Sequence, residues 1–117
     1  SNHTVDFSQY KSANSTLVLT VRLKEVKDAL QKGSIAISMD CGEQCKGLVD
    51  ISKDLSLLAP NQWHTLHIDL QCFEKNGADL SKVMRPFVLS TDTQLSIDFT
   101  DVSIKPNSLG SANVSCE

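Results

Sequence analysis

An all-β antiparallel β-sandwich is the predicted fold, and three observations predict it. Residues 61–73 open on the turn signal Asn61-Gln62 and then alternate, with Leu66, Ile68, Leu70 and Cys72 on one side of an extended chain and Trp63, Thr65, His67, Asp69 and Gln71 on the other. One face is apolar and the other polar, as in a sheet packed on one side and wet on the other. Further apolar runs with the same two-residue period recur at short intervals, separated by turn-forming residues. Helical patterns occur only in connections, which points to about six strands in two layers.

Each element has its own warrant. Val5-Asp6-Phe7-Ser8-Gln9-Tyr10 reads as a short extended or turn segment before the polar loop 11–15. Leu17, Leu19, Val21 and Leu23 form the inward side of a strand. Residues 24–32 suit a short helix by propensity and suit a long hairpin connection equally, because the run stops at Gly33. Ile35, Ile37 and Met39 point inward from the next strand, and a loop over 41–45 follows. From Val49 the pattern changes: Ser52 can cap, and Leu55, Leu57 and Leu58 fit a helical turn ending before Ala59-Pro60. After the Trp63 strand come a turn at Glu74-Lys75-Asn76-Gly77 and a helical turn over 79–84 ahead of Arg85-Pro86. Phe87-Val88-Leu89-Ser90 and Leu95-Ser96-Ile97-Asp98-Phe99 are the last main strands. Val102 and Ile104 fall out of phase with Leu95, Ile97 and Phe99, and a β-bulge near Thr100-Asp101 restores the phase. The Asn-, Ser- and Gly-rich stretch after Pro106 is expected to be loosely held.

A chain of 117 residues is expected to form one domain over 1–117, with an ordered core at about 5–105 and a polar tail at 106–117. The net charge of −3 with scattered Lys and Arg excludes nucleic acid, which needs a basic stripe. The apolar runs are too short for a membrane span, and Ser1-Asn2-His3-Thr4 lacks the regions of a signal peptide. Ser1-Asn2 is compatible with the scar of a cleaved tag, which would make the chain an excised piece of something larger.

Four cysteines, at 41, 45, 72 and 116, favour an oxidising compartment. A disulfide between Cys41 and Cys45 is the favoured pairing, because a glycine-containing turn brings two Cα atoms into range; thiol and metal roles are the alternatives. Cys72 reads as a buried, inert thiol. No pair of the 14 acidic residues is singled out for glycoside cleavage, and no catalytic site is assigned. His64 and His67 leave a strand on opposite faces and cannot share a metal; His3 lies near an end. Asp40, Asp50 and Asp54 offer oxygen ligands for a structural calcium, though loop solvation explains them better, so no cofactor is expected. Sugar binding is the stronger candidate, with Trp63, His67, Asp69 and Gln71 projecting together from one strand. With one Trp and one Tyr in a chain that is 5% aromatic, the reading that folds Trp63 over the sandwich edge as core explains that residue better.

The run 62–70 resembles the Trp-x-Thr-Leu-x-Val-x-Leu strand of galactose-binding-like jelly rolls that sit beside many glycosidases. Four further features occur in order: residues 39–47 around Cys41 and Cys45, Val49-Asp50-Ile51, residues 70–80 containing Cys72-Phe73, and Pro86-Phe87-Val88-Leu89-Ser90-Thr91 closing with Asp101-Val102. Over residues 17–104 the chain is similar to the C-terminal galactose-binding-like domain of bacterial family-3 glycoside hydrolases, of the exo-β-glucanase or glucan 1,4-β-glucosidase type. The resemblance implies a jelly roll that is a non-catalytic accessory domain of a periplasmic or secreted β-glucosidase, with the catalytic carboxylates in upstream domains. The implied partners are those catalytic domains and β-glucan. An autonomous carbohydrate-binding module and a structural or protein-binding sandwich are the alternatives. The family pattern has one or two further strands ahead of Val5; without them a sheet edge is exposed and pairing with a second copy, a homodimer, is a plausible consequence. Cys116 has no counterpart in the pattern.

Overall fold

Two-residue alternation produces extended backbone wherever the chain can bury one side of it. In the computed structural model, which describes residues 3–24, 33–92, 96–114 and 116, it yields the strands β1 (Thr16–Leu23), β2 (Ile35–Gly42), β3 (Cys45–Asp50), β4 (His64–Asp69), β5 (Arg85–Thr91) and β6 (Ile97–Lys105). They form two three-stranded antiparallel sheets, ordered β4-β1-β6 and β3-β2-β5. The short helices α1 (Ser8–Ser12), α2 (Ser52–Ser56) and α3 (Leu70–Lys75) lie in connections. The predicted all-β sandwich is therefore the fold.

The core sits between the sheets. Leu17, Leu19 and Val21 of β1 face Ile35, Ile37 and Met39 of β2, joined by Val49, Leu66, Ile68, Leu70 and Phe73. Phe73 is fully buried, and truncating such a ring to alanine costs about 3–5 kcal/mol. The central strands are buried on their second faces too: Val18, Ala36 and Ser38 are all inaccessible. The predicted bulge is present. Val18 pairs with Ser103 and Thr20 with Thr100, so β6 carries one residue more than β1 there, and Asp101 takes a left-handed φ of 57°.

Several expectations need correction. The Trp63 strand ends at Asp69, not Cys72, because the Asp69 carboxylate accepts the Gln71 N–H at 3.0 Å and caps α3. Leu70, Cys72 and Phe73 then bury one side of a helix, a pattern that period-two counting absorbs into the strand. β3 was hidden by its composition: Gly47 occupies an inward position and Leu48 an outward one, so the alternation of Gly47, Val49 and Ile51 against Lys46, Leu48 and Asp50 is weak on paper. The predicted helical turn exists as α2, but its N-cap is Ile51. Ser52 instead accepts the Ile35 N–H at 2.8 Å and fastens the start of β2. Leu57, expected to pack, is 78% exposed.

The segment after Pro106 is not loosely held. Asn107 N–H donates to Ala13 O at 2.8 Å, Ser108 Oγ lies 2.6 Å from Thr16 Oγ1, and a short 3-10 turn runs over Leu109–Ser111. Val114 is buried, and Cys116 is bonded to Cys72. The readings of residues 24–32 fall, beyond Lys24, outside the described residues, as does Leu95.

Candidate functional site

Register decides which side chains share the outer face of the β4-β1-β6 sheet. Thr20 of β1 lies between Thr65 of β4 and Thr100 of β6, forming a row of hydroxyls across the strands. The Thr20 and Thr65 hydroxyl oxygens are 3.4 Å apart. One step along β1, Arg22 pairs with Asp98 of β6, and Trp63 sits on its other side just before β4 begins. The Arg22 Cζ atom lies 4.6 Å from the Trp63 ring centre, a cation–π contact. The same guanidinium donates to Asp98 Oδ2 through Nη2 at 2.7 Å and through Nε at 3.2 Å. Lys24 Nζ approaches the same oxygen at 3.8 Å. The Arg22 hydrogen bonds hold the Asp98 carboxyl below its ordinary pKa, with the nearby Lys24 charge acting in the same direction. Gripped on its Asp98 side, Arg22 presents a fixed plane to the indole. Trp63 remains 47% exposed. The product is a flat surface of hydroxyls ending in an anchored aromatic ring, which suits a ligand with hydroxyl edges and a weakly polar face.

Of the residues singled out for sugar binding, Trp63 alone belongs to this arrangement. The reading of Trp63 as core fails, since nearly half its surface is open. His67 does lie on the outer face, but Asn113 covers its strand: Asn113 Oδ1 accepts the His67 N–H at 2.8 Å, and Asn113 N–H donates to His67 O at 3.0 Å. The His67 Nδ1 atom is buried without a partner among the described residues. Asp69 is occupied as the cap of α3, and Gln71 rides on that helix, so the four residues do not converge. Arg22, Thr20, Thr100 and Asp98 were missed. Their signal was present only as cross-strand register, which a single strand read alone does not carry.

A second feature lies at the opposite side of this sheet. Phe7, Tyr10, Leu17, Pro86, Phe87, Val102, Ser103 and Ile104 line an open, largely apolar groove of about 320 Å³ between β5 and β6. The Phe87 and Phe99 rings meet at its border with centres 5.3 Å apart, and Phe99 is 46% exposed.

Both cysteine pairs are bonded. Cys41–Cys45 clasps the β2–β3 hairpin, and Cys72–Cys116 joins α3 to the C-terminal segment, which corrects the reading of Cys72 as a free thiol. Two disulfides fit an extracellular or periplasmic protein. The acidic residues near the hairpin already have partners: Asp40 accepts from Arg85 and from the Gly42 N–H, and Asp50 accepts the Ser52 N–H. The Gly42 N–H bond and then the Arg85 bond lower the Asp40 pKa. Among the described residues no group of three or more His, Cys, Asp or Glu is placed to hold a metal ion, and no helix is long and apolar enough to cross a membrane.

A family model, Exop_C, described as galactose-binding domain-like, matches residues 1–104. The chain belongs to that family. Comparison with curated proteins and with solved structures returned no match. A galactose-binding-like domain is typically a non-catalytic, carbohydrate-related accessory unit.

Proposed function

We propose that this galactose-binding-like domain is the accessory module of a secreted or periplasmic bacterial glucan 1,4-β-glucosidase of glycoside hydrolase family 3, and that its Trp63 face touches the β-glucan. The observation that carries the reading is the indole held by Arg22 at the end of the Thr65-Thr20-Thr100 row. Pyranose rings have weakly polar faces that stack on aromatic rings and equatorial hydroxyls that exchange hydrogen bonds with side-chain hydroxyls. One ring and a few hydroxyls correspond to weak binding, with a Kd on the order of 1 mM. Such affinity suits a module that keeps substrate near catalytic domains on the same chain, where local concentration multiplies a modest contact.

Titration calorimetry with β-1,3- and β-1,4-glucan oligosaccharides tests the contact. Saturable heat is expected, and Trp63→Ala removes it while leaving the unfolding midpoint nearly unchanged. No heat with either oligosaccharide would rule the contact out. The parentage is tested by reading the gene ahead of Ser1: an upstream hydrolase is expected, and a gene that begins there contradicts it.

A further inference from the structure

Residues 107–114 and Cys116 lie beyond the family match, which covers residues 1–104, yet they reach the strand that carries the proposed site. The segment starts beside β1, where the Asn107 N–H donates to Ala13 O at 2.8 Å and Ser108 Oγ accepts the Thr16 N–H at 3.1 Å. Its 3-10 turn, Leu109–Ser111, lies against β4. Asn113 then takes the place of a neighbouring strand at the β4 edge. Its Oδ1 accepts the His67 N–H at 2.8 Å, its own N–H donates to His67 O at 3.0 Å, and its Nδ2 donates to Thr65 O at 3.0 Å. Thr65 supplies the β4 hydroxyl of the Thr65-Thr20-Thr100 row, and Trp63 stands two residues before it in the chain. One side chain therefore holds the backbone that presents both the row and the indole.

The hold on Asn113 itself is mainly covalent. Val114 alone of residues 107–114 is buried, so apolar adhesion is small, and the hydrogen bonds lie at a wet edge where water competes for them. The Cys72–Cys116 disulfide supplies the fastening. Cys72 is buried in α3, whereas Cys116 is only half-buried and is the sulfur open to attack.

We propose that Asn113 is a positioning residue for the Trp63 face and that Cys72–Cys116 is its latch, so that reduction by an external dithiol weakens the hold on β-glucan. The inference rests on the sugar reading of that face and adds its regulation. In the release step a thiolate of the dithiol attacks Cys116 Sγ, the S–S bond breaks, and Cys72 leaves as a thiolate that takes up a proton. The second thiol of the reductant then displaces the first from Cys116 and the reductant departs as its disulfide. Two electrons and two protons pass in this way to Cys72 and Cys116. With Asn113 withdrawn, the His67 N–H, His67 O and Thr65 O turn to water and the edge strand opens locally. Thr65 and Trp63 then lose the register that Thr20 and Arg22 require. Asn113 makes no contact with the sugar and acts through β4.

Calorimetry with β-1,3- and β-1,4-glucan oligosaccharides on the full chain, before and after dithiothreitol and well below the unfolding midpoint, tests this beside amide exchange at His67. Reduction is expected to raise Kd about fivefold and to speed exchange at His67. Cys72→Ser combined with Cys116→Ser is expected to bind at the weaker level in either redox state, while Cys41→Ser combined with Cys45→Ser keeps the full redox response. Two variants leave the disulfide intact. Asn113→Ala is expected to weaken binding about fivefold, and Asn113→Asp, which still accepts from the His67 N–H but cannot donate to Thr65 O, to do likewise. Circular dichroism checks that each variant keeps the fold. Absence of binding by the oxidised wild-type chain sinks the sugar reading and this inference with it. Equal affinity in both redox states, or affinity untouched by both Asn113 variants, overturns the inference and leaves the sugar reading standing.

Discussion

Gly47 shows how much one missing side chain can decide. A Cβ there would lie 1.9 Å from Phe73 O and 2.8 Å from Ala78 N, both backbone atoms that α3 and its turn hold in place. Neither can retreat without pulling Phe73 out of the core. Gly47→Ala is therefore expected to destabilise by about 3 kcal/mol or more, read as a lowered urea midpoint. An unchanged midpoint would mean that α3 is not seated against β3. Arg22 works by contrast through what it touches. It both stacks on Trp63 and grips Asp98, so Arg22→Ala frees the indole and leaves the carboxylate with Lys24. Because all three groups are partly exposed, the cost in stability is small, while the proposed ligand surface loses its anchor.

The elements differ in how they are tied. Cys72–Cys116 spans 44 residues and secures the segment that covers β4, whereas Cys41–Cys45 spans 4 and clasps one hairpin. In the chain-entropy account the longer loop is worth roughly 4 kcal/mol and the shorter roughly 2 kcal/mol. Replacing Cys72 and Cys116 by serine is expected to lower the unfolding midpoint more than replacing Cys41 and Cys45, and to raise amide exchange at His67. The reverse order would show that the C-terminal segment adds little. At this scale the legible elements were those whose inward residues are all large and apolar, such as β1 and β2. β3 was unreadable because its inward glycine serves a helix 26 residues further on, a dependence that local period cannot express. The bulge in β6 was legible because a phase error of one residue has few physical remedies. The C-terminal segment misled because Asn113 and Cys116 act through distant partners while their neighbours look like solvent-exposed filler.

For the whole molecule, two three-stranded layers enclose the core, and one of them carries the proposed site on its outer face. The outer face of β4-β1-β6 offers hydroxyls and an indole, and the β6 edge lies at the far side of the same sheet. The sequence draws the eye to Trp63 but not to Arg22 or Thr20, which join it only when β1 pairs with β4. That the single tryptophan of the chain stands in the proposed site supplies the most direct test. Intrinsic fluorescence should change saturably as β-1,3- or β-1,4-glucan oligosaccharide is raised to about 10 mM, a range that brackets the expected affinity. The account predicts such a change, weakened by Arg22→Ala; a spectrum that stays constant throughout the titration would contradict it.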